Sequence, residues 1–314
     1  MIVVIGSINM DLVLRVPRMP LPGETLTGGA FQTVAGGKGA NQAVACARLS
    51  HGAPGGQPVA MVGCLGDDAF GQTLRAALVA DGIDVSHVTT LPGVASGIAS
   101  ILVDASGQNS IVIAGGANDL LSPAHIDAAR PLLERASIVV LQLETPLATV
   151  EHAIKLARAL GKTVVLNPAP AATLPDGLLA LVDYLIPNEI EAAMLAGTSP
   201  HAQDAPDVHG GHEAVLAAAA ALRAQGSDNI LITLGAKGVH AALFGASQDF
   251  PALAVQAVDT TAAGDTFIGG FVAALAAGQS EAAAINLGQR AAAWSVTRAG
   301  AQTSIPYRHE LELP

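Results

Sequence analysis

Short β-rich runs alternate with longer Ala- and Leu-rich segments along most of this chain, and that alternation limits the fold more than any other feature. "IVVIG", "PVAMVGCLG", "SIVVLQLE", "TVVLNPAP", "DYLIPNE" and "NILITLG" lack a polar residue at every second position. They therefore read as strands buried on both faces. Between them "ANQAVACARL", "AFGQTLRAALVADG", "TPLATVEHAIKLARALG" and "HEAVLAAAAALRAQG" read as helices, and two more apolar helices are predicted over roughly 264–277 and 280–297. Such a chain is predicted to be α/β: a mostly parallel sheet between two helical layers, with ligands at the carboxyl ends of the strands.

Two regions break the alternation. Residues 11–34 and 96–113 carry short alternating strands with no helix between them, and they are expected to pair as a small antiparallel sheet. Such a sheet would serve either as a lid excluding water from a cleft or as a plain hairpin extension. No linker or internal repeat divides the 314 residues, so one domain is expected.

Composition narrows the function classes. The mean hydropathy of +0.46 raises the question of a membrane, but no apolar run approaches the ~18 residues of a span. "MIVVIGSINMD" has no basic leader and reads as a buried strand, which points to a cytoplasmic protein. Cys46 and Cys64 show neither metal nor disulfide spacing and are expected in the core. A formal charge of −11 disfavours nucleic acid and anionic membranes as partners, but not a small anionic ligand met by local donors. Residues 197–212, "GTSPHAQDAPDVHGGH", hold three histidines and two aspartates, yet their spacing fits no zinc pattern and a solvated loop is expected.

Several short stretches carry polar groups where chemistry is expected. In "DTTAAGDTF", Asp265 follows Ala262, Ala263 and Gly264 at the start of a helix. It reads as a helix cap, or as a proton acceptor beside backbone N–H groups that approach an anion. "GGKGANQAVA" sets Gly37, Lys38 and Asn41 at a glycine-rich turn before a helix; it is not a phosphate-binding Walker loop, because Gly39 follows the lysine. "GSINMD" puts Asn9 and Asp11 past the first strand, and "LQLE" ends another strand in Glu144. "PNEIE" spaces Asn188 and Glu191 as a reciprocal helix cap, or as an oxygen pair for hydrated Mg²⁺. "TLGAKG", Thr233 to Gly238, is a small-residue strand-to-turn element suited to adenine or phosphate.

In their order and spacing these stretches, with "LNPAP" and "VTRAGAQTSIP", resemble the ribokinase-like carbohydrate kinase family from Ile2 to about Pro306. The resemblance implies a three-layer sandwich over 1–314 with a small β-sheet lid from about 11–34 and 96–113. It implies an ATP-dependent kinase that phosphorylates a sugar, D-ribose at its 5-hydroxyl. Asp265 would be the general base, and the N–H groups of Ala262, Ala263 and Gly264 the anion hole. The sugar would lie against Asn9, Asp11, Gly37, Lys38, Asn41 and Glu144. The nucleotide would lie along Thr233, Gly235, Lys237 and Gly238, near Gly264, Asn188 and Gln289. Glu191 would hold Mg²⁺ through water. A K⁺ site would draw on Asp259, Thr261, Ser295, Arg298, Gly300 and Ser304. Lid strands of the family pair between subunits, which implies a homodimer.

The chain departs from the family's pattern at Ala262, where glycine is usual, and in two insertions, 51–58 and 197–212. Replacing glycine by alanine reads as mild, since a small residue keeps the loop tight. Another sugar kinase, for deoxyribose or fructose, and a nucleoside kinase stay open, the last disfavoured by 3% aromatic content. So does a catalytically silent sugar-binding protein, although it would have no use for a base at Asp265.

Overall fold

The computed structural model describes residues 1–198 and 211–312. The chain opens with β1 (Ile2–Ile5), β2 (Asn9–Arg15), β3 (Phe31–Gly36), α1 (Lys38–Ser50), β4 (Val59–Gly66) and α2 (Ala69–Ala80). There follow β5 (Asp84–Leu91), β6 (Gly97–Val103), β7 (Asn109–Ala114), α3 (Pro123–Ala128), α4 (Arg130–Arg135), β8 (Ile138–Leu141), α5 (Leu147–Ala159) and β9 (Thr163–Leu166). The rest is β10 (Tyr184–Leu185), α6 (Glu189–Leu195), α7 (Gly211–Ala224), β11 (Ile230–Thr233), β12 (Val239–Leu243), β13 (Ala246–Phe250), α8 (Ala263–Ala276) and α9 (Glu281–Ser295).

Nine strands form one sheet in the order β13-β12-β11-β10-β9-β8-β1-β4-β5. Every pair from β11 to β5 is parallel, and β12 and β13 close one edge antiparallel. The predicted mostly parallel sheet is therefore present. Successive strand residues feed opposite cores: Ile2, Val4 and Met61 pack with Phe271 and Ile285 on one face. Val3, Ile5 and Val62 pack with Ile154 and Leu222 on the other. That two-sided burial is why the strands show no polar alternation. Both cysteines are fully buried, and burial pushes their thiols up to about 12 for Cys46 and about 11 for Cys64. None of the described helices is long and apolar enough to cross a membrane.

Sequence reading passed over β5, β12 and β13. β5 and β13 lie at the sheet edges, β13 mostly exposed and β5 with Val88 as its single buried residue, so they lack the continuous apolar run that marked the others. It also passed over α3 and α4, each six residues long and too short to show a period.

The second sheet runs β3-β2-β6-β7. The expectation that it would be antiparallel is corrected: β2 pairs with β3 antiparallel, but with β6 parallel. The cause is topological. β2 follows β1 and β6 follows β5, and β1 and β5 run in the same direction through β4, so their continuations leave the main sheet side by side. The 51–58 insertion joins α1 to the start of β4, the opposite end of the sheet from its carboxyl edge. Of the 197–212 segment, residues 199–210 lie outside the described residues.

Candidate active site

A cleft of about 670 Å³ opens at the carboxyl edge of the sheet, lined by Lys38, Asn188, Glu191, Thr233, Gly235, Lys237 and residues 262–265. Three glycines flanking Lys38, one of the lining residues, pack against the turn after β1 and the start of β2. A side-chain carbon on Gly39 would stand 2.6 Å from the Ser7 amide nitrogen, and one on Gly36 2.2 Å from an Asp11 carboxylate oxygen. Gly37 adds a φ of +87°, which a side chain opposes. The "GGKG" run thus lets α1 begin directly under Asn9 and Asp11.

Asp265 lies in the first turn of α8 and is buried. Its Oδ2 accepts from Asn41 Nδ2 at 2.9 Å, and its Oδ1 accepts from Gln42 Nε2 at 2.9 Å. Burial pushes its pKa up, against the opposing pull of Lys38 and of those two amide donors. Lys38 is itself desolvated, but the carboxylates of Asp265, Glu144, Glu191 and Asp11 outweigh that and raise its pKa, so it stays a cation. Asp11 is pushed up to about 7 by burial, then by the negative charges of Glu144 and Asp265. The sequence-predicted sugar residues are therefore one electrostatic unit: three carboxylates around one ammonium. Glu144 is tied in by Ser7 Oγ (2.5 Å) and the Lys38 amide (3.1 Å), each donating to Oε2.

The small run before Asp265 has a conformational reason. Ala262 caps α8 in the left-handed region, φ +58° and ψ +13°, where a residue with a side chain pays about 1–2 kcal/mol. The family's glycine therefore answers a backbone angle, and size alone, as read from the sequence, does not account for it. Of the three expected anion-hole donors, Ala263 N–H already donates to the Thr260 carbonyl (3.2 Å). The amides of Ala262 and Gly264 meet no acceptor among the described residues and stand at the positive end of a 14-residue helix.

Asn188 and Glu191 realise the reciprocal cap. Asn188 Oδ1 accepts from the Glu191 amide, and Glu191 Oε2 from the Asn188 amide, both at 2.8 Å. Burial nonetheless raises the Glu191 pKa, and the residue lines the cleft, so the cap does not exhaust it. Gln289 does not line this cleft: its amide donates to the carbonyls of Phe250 (2.9 Å) and Pro251 (3.2 Å). Gly238 also lies behind the lining, with a side-chain carbon there falling 2.0 Å from the Phe250 carbonyl oxygen.

The expected cation residues converge partway. Asp259 Oδ1 accepts from the Thr261 amide (2.9 Å) and hydroxyl (2.6 Å), while Oδ2 accepts from the Gly300 amide (2.9 Å). Its pKa is lowered although burial opposes, because those donors favour the charged form. Ser304 is fully buried and its hydroxyl donates to the Ala301 carbonyl, while the Ser295 carbonyl accepts from the Arg298 amide. Asp259 thus joins the two loops as an ionised carboxylate, a hard-oxygen donor of the kind an alkali cation takes.

Sequence reasoning missed the amides behind the base. Gln42 Nε2 also donates to Asn167 Oδ1 (3.2 Å), and Gln42 Oε1 accepts from Gln142 Nε2 (2.6 Å). Asn167 is anchored on the Ile186 carbonyl (2.8 Å). A glutamine within the apolar run "ANQAVACA" was the available signal. It missed Asn118 too, whose Nδ2 donates to Asn9 Oδ1 at 2.7 Å and so turns the Asn9 amide nitrogen away as a free donor face. Chemically, the arrangement offers a desolvated carboxylate to take a proton, beside a helix start and an ammonium that favour a transferring anion.

A family model described as "pfkB family carbohydrate kinase" matches residues 1–308. Ribokinase of Haemophilus influenzae is 46% identical over 98% of this chain and 95% of its own. Deoxyribokinase of Salmonella typhi is 40% identical over 97% of this chain and 95% of its own. The structure of Arabidopsis thaliana ribokinase complexed with ribose and ATP is similar with a TM-score of 0.86 and 33% identity, covering 99% of this chain and 96% of that one.

Proposed function

The chain belongs to the pfkB family of carbohydrate kinases, and from that premise we propose that it phosphorylates D-ribose at the 5-hydroxyl, using ATP, to give D-ribose 5-phosphate and ADP. The observation that carries this reading is Asp265: a buried carboxylate gripped by two amides, at a helix start whose Ala262 and Gly264 amides have no acceptor among the described residues. A cap has no need of that environment.

In the reaction Asp265 takes the proton of the sugar hydroxyl as its oxygen bonds to the γ-phosphorus and the bond from that phosphorus to ADP breaks. The N–H groups of Ala262 and Gly264, with that of Ala263 once it leaves Thr260, meet the transferring oxygens, each worth roughly 3 kcal/mol in such sites. Asn9, Asp11, Gly37, Lys38, Asn41 and Glu144 pair with the sugar hydroxyls. The nucleotide runs along Thr233, Gly235 and Lys237, which line the cleft with Asn188. Gly238 and Gln289 support it from behind. Glu191 would hold Mg²⁺ through water, and the ion when bound would neutralise phosphate charge. Asp259, with the Thr261, Ser295, Arg298 and Gly300 carbonyls and Ser304, would hold K⁺, which would steady the loop before α8. The sheet of β2, β3, β6 and β7 acts as a lid on a single kinase domain. Its exposed Phe31, Ile111, Val112 and Ile113 support pairing with a second copy as a homodimer. The reaction is assigned to the cytoplasm, where ATP is available.

The Salmonella deoxyribokinase sustains a second reading, deoxyribose as substrate. ADP release separates the two. A site that pairs with the 2-hydroxyl penalises 2-deoxy-D-ribose by about 1–3 kcal/mol, roughly ten- to hundredfold in kcat/KM. Asp265→Asn should still bind ribose but lose about 10²–10⁴ in turnover. Equal use of both sugars would favour the deoxyribose reading, and sugar-independent ADP release would refute both.

A further inference from the structure

Away from this cleft, His212, His240 and Asp249 each present one ligating atom within 4.8 Å of the others. They come from three elements. His240 and Asp249 are direct partners across the β12–β13 hairpin, and His212 is the second residue of α7. Both oxygens of Asp249 are engaged, Oδ1 by His240 Nδ1 at 2.7 Å and Oδ2 by His212 Nδ1 at 3.5 Å. The two imidazoles meet nearly edge to face, with ring centroids 5.8 Å apart.

His240 is 1% exposed, and its other nitrogen, Nε2, has no partner among the described residues. Burying an imidazole inside the apolar strand "VHAAL" is costly, and its polar engagement is with this cluster alone. His212 and Asp249 are half exposed and line a small cavity of about 230 Å³. The cluster is therefore rigid on the sheet side and reachable from solvent on the other.

The geometry points to a divalent transition-metal site, formed by His212, His240 and Asp249, that takes Zn²⁺ and pins the start of α7 to the β12–β13 hairpin. Two imidazoles and a carboxylate are a familiar donor set for that ion, with water completing the shell. Ligands bound at ~2.0–2.1 Å around a tetrahedral ion stand roughly 3.3 Å apart. The three ligating atoms lie within 4.8 Å of one another, and rotation of the half-exposed His212 and Asp249 side chains draws them to that separation. His212 stands at the end of the 197–212 segment, so one ligand comes from the start of α7 and two from the sheet edge. The cavity shares Leu234, Lys237 and Glu189 with the nucleotide cleft, which puts the bound ion next to, and outside, the phosphoryl-transfer machinery. The proposal does not depend on which sugar is phosphorylated.

Chelator-treated protein in excess Mg²⁺, which fills the hard-oxygen sites, is titrated with Zn²⁺ by calorimetry. A parallel titration with Co²⁺ reads visible absorption. One ion per chain, a Co²⁺ band and a higher melting midpoint with Zn²⁺ are expected. His212→Gln and Asp249→Asn, at exposed positions, should each weaken binding at least tenfold while kinase activity stays intact. A His201→Gln/His209→Gln double variant should bind as the parent does. No stoichiometric binding overturns the proposal. So does binding that survives His212→Gln and Asp249→Asn but is lost in the double variant, because the ion would then belong to the insertion.

Discussion

Replacing Gln42 by Met tests whether the buried amides tune the base. Gln42 is absent from the cleft lining and touches Asp265 from behind, donating to Oδ1 at 2.9 Å. A hydrogen bond to a charged group is worth about 1.5–3 kcal/mol, and one pKa unit corresponds to about 1.4 kcal/mol. The bond favours the ionised carboxylate, so losing it raises the Asp265 pKa further, in the direction burial already drives it. The acid limb of the kcat/KM–pH profile should therefore move up by roughly one to two pH units. Turnover should recover partly at alkaline pH, and the sugar KM at the plateau should stay within a few-fold. The variant also strands Gln142 Nε2 and Asn167 Oδ1, at about 1–3 kcal/mol each, so profiles are taken well below the melting midpoint. Gln142→Met, which removes only the outer bond, should shift the limb less and in the same direction. An acid limb that stays in place in Gln42→Met, with turnover lowered equally at every pH, would refute the reasoning and leave Gln42 a packing residue.

Three further outcomes follow from the same charges and contacts. Asp11 titrates at about 7 in the fold against about 4 unfolded, so the fold holds its proton more tightly between those values and loses stability as pH rises through them. Asp11→Asn should thus raise the melting temperature of the sugar-free protein at pH 8 more than at pH 4, while abolishing sugar binding; an equal gain at both pH values would count against the shift. Arg48→Met removes the bidentate partner of Asp81 (2.7 and 2.9 Å) and a clasp on the Gln302 and Ile305 carbonyls. It should cost about 3–5 kcal/mol in chemical denaturation, and a loss below about 1 kcal/mol would show the clasp to be dispensable. Exchanging Na⁺ for K⁺ at constant ionic strength should raise activity if Asp259 lies at an alkali-cation site, whereas screening treats the two ions alike and indifference would remove the site.

Much of this molecule was legible in the chain. The doubly buried strands were readable because two cores draw on alternate residues of each strand, leaving apolar runs such as "IVVIG". Asn9, Asp11, Lys38, Glu144 and Asp265 stood out because they sit at strand ends and helix starts, where backbone geometry already marks a ligand edge. The parallel β2–β6 pairing, the left-handed Ala262, the Gln42–Gln142–Asn167 relay and the His212–His240–Asp249 cluster were not legible. Each depends on groups far apart in sequence, up to 125 residues for Gln42 and Asn167, or on a dihedral angle that alanine disguises. Residue type and local spacing settle what a segment does with its own backbone. Which buried side chains meet across the sheet, and so how a carboxylate is tuned or an imidazole finds its partner, is decided only when the layers close on one another.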